Sequence, residues 1–204
     1  MINLWQAHIS FAIIIFLLLP SFSLKRPARI VLLVALLAAS FIPLDGLSLA
    51  AYLRSHIDDL AVTTLVFMVW GCLRRLGFLP SAQQSTTSVL IIFAAMALVL
   101  YPATLGLSYL DPYRLGFSPR PMLIFVALLT AGLFYVRSYL AVVMLASATL
   151  AFIVGVKPSH NYWDYLVDPL LGLYCCAALL TQAVRWSYGW LNTLRGSVKD
   201  SGSV

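Results

Sequence analysis

Long apolar runs separated by short polar breaks dominate the pattern of this chain. A helix that crosses a bilayer needs about 20 apolar residues, with a range of roughly 17–25. The pattern therefore predicts an all-α, polytopic transmembrane bundle of seven spanning helices in residues 1–190, followed by a polar cytoplasmic tail in residues 191–204. The predicted spans are residues 4–24, 28–44, 59–73, 85–105, 121–136, 139–156 and 168–185.

The boundary between the fifth and sixth spans is the least marked. Residues 122–156 contain one charged residue, Arg137, and this stretch is too long for a single span. We therefore expect an interfacial turn at residues 135–139, although that segment contains neither Gly nor Pro.

The composition argues against an ordinary soluble domain. Only 10% of the residues are charged and 62% are hydrophobic, whereas a typical soluble domain carries about 25% charged residues. The net charge of +6 comes from basic residues that lie in breaks between apolar runs. This distribution is typical of a topology signal, and it argues against nucleic acid as a partner because no basic patch alternates with base-stacking aromatics.

The positions of the basic residues predict an orientation. Lys25, Arg26 and Arg29 follow the first apolar run, whereas a cleavable signal peptide carries its positive charge before that run. We therefore expect the N-terminus outside and the C-terminus in the cytoplasm, with nine basic residues inside and four outside. Compactness and short loops favour a bacterial inner membrane.

This topology places six of the seven aspartates and all three histidines at the outer face, mostly in segments 45–59, 110–121 and 157–169. In the first segment, Asp45 and Gly46 predict a turn and a helix start, and residues 47–53 a short interfacial helix. Asp58 or Asp59 would cap the third span. In the third segment, His160, Asp164 and Asp168 would share one face if the segment is helical.

Two interpretations of these polar groups stay open. The first is a site, with catalytic candidates Asp58, Asp59, Asp111, His160, Asp164 and Asp168. Asp59, Asp111, His160 and Asp164 are also candidate ligands of a divalent metal that would activate water. Arg54, Arg114 and Arg120 would bind a phosphate or carboxylate headgroup. The second interpretation is structural, with aspartates that cap helices and pair with these arginines.

Two further residue sets read as structural. Cys72, Cys175 and Cys176 lie in apolar runs and predict packing residues rather than a disulfide or zinc site. His8, one turn into the first span, is expected to be a hydrogen-bonded interfacial group.

Three functional hypotheses remain. The leading one is a non-catalytic accessory component that binds a lipid headgroup or a membrane-protein partner during envelope lipid or glycan assembly. The alternative is a membrane-embedded enzyme acting on a lipid-linked phosphate or glycan. A small transporter is disfavoured, because no Asp, Glu, Lys or His lies near the middle of a predicted span. The enzyme hypothesis requires the three outer segments to converge on one site. The accessory-component hypothesis leaves their charged groups dispersed in ion pairs.

Overall fold

Helices make up most of the protein, which confirms the all-α prediction. The computed structural model describes residues 4–20, 23–79, 86–107 and 109–201, with residues 191–201 described by their backbone alone. In this part of the chain the helices are α1 (Leu4–Leu18), α2 (Arg26–Ala39), α3 (Leu49–Ile57), α4 (Val62–Leu76), α5 (Thr87–Thr104), α6 (Pro119–Tyr135), α7 (Tyr139–Val154), α8 (Trp163–Leu166) and α9 (Pro169–Ser201). A 3₁₀ turn, Pro112–Phe117, precedes α6.

Each predicted span contains one long helix, but several helices are shorter than predicted. α1 ends at Leu18 because Pro20 follows closely, and the residue before a proline is driven out of the helical region. α2 ends at Ala39, and the chain then turns into a hairpin whose first strand begins at Pro43. α9 continues through the segment assigned to a tail as far as Ser201.

One described helix, α5, is both long and apolar enough to cross a membrane by itself. Three others, at Trp5–Leu18, Arg120–Tyr135 and Tyr139–Val154, are apolar but shorter. One such helix is also compatible with the core of a soluble protein. The seven-span bundle therefore stays a prediction.

The long helices alternate in direction between two ends of the molecule. His8 near the start of α1 bonds to Ser40 at the end of α2, and Arg29 near the start of α2 bonds to the carbonyl of Arg75 near the end of α4. We call the end formed by residues 40–61, 105–107, 109–118 and 155–168 the acidic end. The opposite end, formed by residues 19–20, 23–29, 74–79, 86–88 and 136–138, is the basic end.

Arg75 closes the basic end of α1. Its guanidinium donates to the carbonyl oxygens of Phe16, Leu17, Leu19 and Pro20, all within 3.0 Å. The last carbonyls of a helix have no partner within the helix, and a cation there also complements the helix dipole. Arg75 therefore has a structural role besides any effect on topology.

The turn between α6 and α7 lies where the sequence predicts it. α4 and α7 end in left-handed glycines, Gly77 (φ 80°) and Gly155 (φ 69°). In the α6–α7 turn Arg137 occupies the equivalent position with φ 58°, and the N–H of Ser138 bonds back to the carbonyl of Leu133 at 2.9 Å. Capping geometry thus forms this turn without the usual glycine.

Two hydrophobic clusters hold the helices together. The larger one contains fully buried Phe93, Met144 and Leu145 and involves α5, α6, α7 and α9. The smaller one centres on Phe16 and Met68, between α1 and α4. Gly172 permits a close approach of α9 to α5, since a Cβ there would lie 2.7 Å from the Cβ of Ala97. The three cysteines are unpaired, and Cys72 and Cys175 are buried while Cys176 is partly buried.

The first segment of the acidic end differs from its prediction. Asp45 and Gly46 do form a turn, but it joins the strands of a short antiparallel hairpin, β1 (Pro43–Leu44) and β2 (Leu47–Ser48). The following helix is α3, Leu49–Ile57, rather than residues 47–53. Its start is fixed by Ser48, whose hydroxyl accepts a hydrogen bond from the Ala51 N–H at 3.2 Å.

Candidate functional site

The three polar segments predicted to lie on one side of the molecule do meet there. Segment 157–169 lies at the centre and bonds to both of the others. Its Lys157 donates to the carbonyl of Asp59 at 2.8 Å, and its Trp163 indole N–H donates to the carbonyl of Pro112 at 2.8 Å. The acidic end is therefore one connected structure, although its charged groups have roles that the sequence does not reveal.

Lys157 connects three parts of the chain. Its ammonium donates to the carbonyl oxygens of Asp59 (2.8 Å), Leu60 (3.2 Å) and Asp164 (2.9 Å). Burial lowers the pKa of Lys157, while the carboxylates of Asp164, Asp59 and Asp168 oppose that shift. Because all three N–H groups of the ammonium are used by the main chain, Lys157 is bound as a structural cation.

Asp164 is held by two hydroxyl groups from different segments. Tyr113 donates to its Oδ1 at 3.1 Å, and Ser159 donates to its Oδ2. Burial and the negative charge of Asp164 raise the pKa of Tyr113. These bonds attach the loop after α7 to the 3₁₀ turn before α6.

Asn161 and Gly116 lie in close contact between the same two segments. The Asn161 amide donates to the Tyr113 carbonyl at 3.0 Å, and the Tyr162 N–H donates to the Gly116 carbonyl at 3.0 Å. A Cβ at position 116 would lie 1.8 Å from Asn161 Oδ1. Only glycine fits at this position.

Asp168 serves the starts of two helices at once. Its Oδ1 accepts from the Leu171 N–H in the first turn of α9 at 2.8 Å. Its Oδ2 accepts from the Ala61 N–H, just before α4, at the same distance. Asp168 is 8% exposed, and its carboxylate satisfies N–H groups that would otherwise have no partner. Both carboxylate oxygens of Asp168 are therefore used in structural hydrogen bonds.

Of the remaining aspartates at this end, Asp59 and Asp111 have local partners, and Asp45 and Asp58 are exposed. Asp59 forms a salt bridge with Arg54 at 2.8 Å. Asp111 accepts from the Arg114 N–H at 3.2 Å at the start of the 3₁₀ turn. The prediction that Asp58 or Asp59 caps the third span is wrong. α4 begins after Ala61 without a side-chain cap, and Asp58 instead ends α3 with φ 62° and ψ −165°.

The predicted helical face of His160, Asp164 and Asp168 is also wrong. The only helix in that segment is the single turn α8, Trp163–Leu166, so His160 precedes it and Asp168 follows it. His160, Arg114 and Arg120 are exposed. Across the described ranges no three His, Cys, Asp or Glu side chains approach closely enough to hold a metal ion.

His8 has the hydrogen-bonded role expected for it. Its Nδ1 lies 2.8 Å from the Ser40 hydroxyl oxygen, and its ring stacks on Phe41 with centroids 3.8 Å apart. Since the Ser40 hydroxyl donates to the Leu37 carbonyl, Nδ1 of His8 is the donor in the bond to Ser40.

The chain matches no known protein family, and no curated protein or solved structure matches it significantly.

Sequence reasoning missed the neutral and cationic residues that organise the acidic end, namely Lys157, Tyr113, Ser159, Asn161 and Gly116. One signal could have identified Lys157. It is a basic residue on the predicted outer side, which the positive-inside rule disfavours, and such a residue needs a local reason to be there. No comparable signal marks Asn161 or Gly116, because their roles depend on two segments 45 positions apart in the chain.

Proposed function

We propose that this chain is a seven-span integral membrane protein that acts as a non-catalytic accessory component in envelope lipid or glycan assembly. In this proposal the acidic end faces outward and binds an anionic lipid headgroup or a membrane-protein partner, and the C-terminus lies in the cytoplasm. The setting is the inner membrane of a bacterium.

The outward sides of the helices carry the membrane part of the proposal. Exposed large apolar residues recur three, four or seven positions apart, which places them on one face of each helix. Soluble proteins rarely leave such surfaces in water. Examples are Val31 and Val34 in α2, Ile91 and Leu98 in α5, Ile124 and Leu128 in α6, Val143 and Leu150 in α7, and Leu173 and Leu180 in α9.

The short helices require adjustment of the bilayer. α2 has 14 residues, which at 1.5 Å per residue corresponds to about 21 Å, less than the roughly 30 Å of a typical hydrocarbon core. Local thinning and snorkelling of arginines accommodate such a mismatch at modest cost. Arg26 and Arg29 near the start of α2 are placed to do this.

The bonding of the carboxylates favours binding over catalysis. Asp59, Asp111, Asp164 and Asp168 each have a hydrogen-bond or ion-pair partner within the protein. By contrast, Arg114 and Arg120 are exposed beside the apolar side chains of Leu115 and Phe117, which are also exposed. Guanidinium groups next to an apolar surface suit a partner that is anionic and membrane-bound.

Alkaline extraction of membranes tests whether the protein is integral to the bilayer, since an integral protein stays in the pellet.

A photoactivatable cross-linker replacing Leu115 tests whether the surface around Arg114 and Arg120 binds a partner. We expect one discrete adduct, lost in the Arg114→Gln/Arg120→Gln variant. The matched position is Leu128 on α6, where the cross-linker should give no such adduct. Equal cross-linking at both positions contradicts a specific binding surface.

The enzyme remains a second candidate because Lys157, Ser159, Tyr113 and Asp164 converge. Tyr113→Phe, Ser159→Ala and Asp164→Asn, which change the three side chains that meet there, should then abolish activity with normal expression. A wild-type phenotype in all three variants would remove this candidate.

A further inference from the structure

A cavity of about 240 Å³ lies at the basic end, between α1, α2 and α4. Arg29 of α2 and Arg74 and Arg75 of α4 line it, and apolar side chains such as Phe16 and Leu32 form the rest of its wall. We call it the basic cavity. Pockets that hold drug-sized ligands measure roughly 300–1,000 Å³, so this one suits a small polar group rather than a whole lipid molecule.

No carboxylate in the neighbouring sequence neutralises these three arginines. Segments 19–29 and 74–88 contain no Asp or Glu, and six of the seven aspartates lie at the opposite, acidic end. Arg54 at that end, in contrast, pairs with Asp59 at 2.8 Å. Because a guanidinium stays charged at physiological pH, the basic cavity concentrates positive charge that a bound anion would neutralise.

The three guanidinium groups are held in place by uncharged partners. Arg75 donates to four main-chain carbonyls at the end of α1 and just after it. Arg29 donates through Nε to the Leu24 carbonyl at 2.9 Å and through Nη1 to the Arg75 carbonyl at 2.7 Å. Arg74 lies over the Trp70 ring, 4.7 Å from its centroid. These contacts position the cations before an anion arrives, which lowers the entropic cost of binding.

Two of the arginines keep donors for an anion. Within the described part of the chain, neither the Nη2 group of Arg29 nor any N–H of the Arg74 guanidinium donates to a protein atom. Arg74 is exposed and Arg29 is partly exposed, so both can be reached from outside. A guanidinium presents paired N–H groups that match two oxygens of a phosphate.

The position of the basic cavity favours a phosphate that belongs to a lipid. The cavity lies at the first turn of α2 and the last turn of α4, and the exposed apolar residues Ile30 and Val31 follow Arg29 directly. Trp70 lies one turn deeper than Arg74, an arrangement typical of the interface between hydrocarbon and headgroups. Basic pockets between spanning helices on the cytoplasmic side are known to bind anionic lipid headgroups.

We propose that the basic cavity binds the phosphate of an anionic phospholipid from the leaflet at the basic end. Arg29 and Arg74 donate to the phosphate oxygens, and Arg75 adds positive charge while it holds the end of α1. This inference rests on the proposed membrane location. It assigns a lipid site at the end of the molecule opposite to the exposed surface of Arg114 and Arg120.

Lipid retention by the full-length protein tests this site. The protein is immobilised in detergent, incubated with radiolabelled phosphatidylglycerol or with phosphatidylcholine of the same acyl chains, and washed. Arg114→Gln/Arg120→Gln is the background throughout, so that the proposed surface at the acidic end does not contribute. We expect about a tenfold preference for phosphatidylglycerol, because its headgroup carries a net negative charge and that of phosphatidylcholine does not.

Two variants remove the available donors of the basic cavity. Arg29→Gln/Arg74→Gln should retain both lipids about equally, and Arg74→Gln alone should lower the retention of phosphatidylglycerol about fivefold. Arg75 is left unchanged because it holds α1. The matched control is Arg137→Gln/Arg185→Gln, which removes the same charge from exposed positions outside the cavity and should keep the full preference. Circular dichroism checks that each variant is folded.

Equal retention of the two lipids by the parent protein overturns the site, and so does an equal effect of Arg74→Gln and the control variant. Washing with inorganic phosphate in place of chloride at the same ionic strength should leave the lipid bound. Displacement by that wash would show that the cavity takes a soluble anion and would overturn the lipid as its source. If Arg29→Gln/Arg74→Gln does not fold, Arg74→Gln decides alone. Alkaline extraction is performed separately, so a failure of the membrane location is recognised independently of lipid retention.

Discussion

At the residue scale, the acidic end is held together by polar side chains that bond to main-chain atoms. Lys157 donates to three carbonyls, and Asp168 accepts from two N–H groups. Buried backbone groups need partners, and a loop region has no regular ladder to supply them. The charges that look like a catalytic cluster in the sequence therefore serve largely to fix three loops against one another.

The contact at Gly116 predicts a large effect from one methyl group. Gly116→Ala should lower the free energy of unfolding by about 2–3 kcal/mol, because the Cβ overlaps Asn161 and the two segments must separate. Thermal unfolding in detergent micelles measures this. Gly132→Ala is the matched control and should be neutral or stabilising by up to about 1 kcal/mol, as expected for Ala in an open helix position. Similar losses in both variants would contradict the close contact.

Lys157 predicts both a loss of stability and a pH dependence. Lys157→Met leaves three carbonyls without their donor and should cost about 2–4 kcal/mol. Burial lowers the pKa of Lys157 from its ordinary 10.5. At pH values between the lowered pKa and 10.5, the folded state therefore binds fewer protons than the unfolded state. The unfolding free energy of the wild type relative to Lys157→Met should therefore rise with pH in that window. A flat or falling difference would contradict this buried position.

At the element scale, the sequence predicts the existence of the long helices well and their ends poorly. Apolar run length indicates all seven long helices, and the α6–α7 turn lies at the expected residues. The errors come from local bonds that composition does not show. The hairpin at Asp45 replaces a helix start, and Asp168, 107 positions away, bonds to the N–H of Ala61 ahead of α4, where Asp58 or Asp59 was expected.

The α6–α7 turn gives a prediction at this scale. Arg137 has φ 58°, a conformation that costs a non-glycine residue roughly 1–2 kcal/mol. Arg137→Gly should therefore raise the unfolding free energy by about 1 kcal/mol, less the entropy that glycine loses on folding. Gly155→Ala, in the equivalent turn after α7, should lower it by a similar amount. Chemical denaturation in micelles measures the unfolding free energy of both variants. If both substitutions change it in the same direction, the capping argument fails.

At the scale of the whole molecule, the separation of charge follows from the alternation of the helices. Six aspartates lie at the acidic end, and Lys25, Arg26, Arg29, Arg74, Arg75 and Arg137 lie at the basic end. The sequence predicts this separation because each long apolar segment reverses the chain direction. It does not predict that Lys157 joins the acidic loops, since that depends on how α4 and α7 pack side by side.

The orientation of the two ends across a bilayer is the central claim, and cysteine labelling tests it most directly. In a background with Cys72, Cys175 and Cys176 replaced by alanine, His160→Cys reports on the acidic end and Ser23→Cys on the basic end, both at exposed positions. An impermeant maleimide added to intact cells should label His160→Cys at once and Ser23→Cys only after lysis. Labelling of both positions before lysis, or of His160→Cys only after it, would contradict the proposed topology.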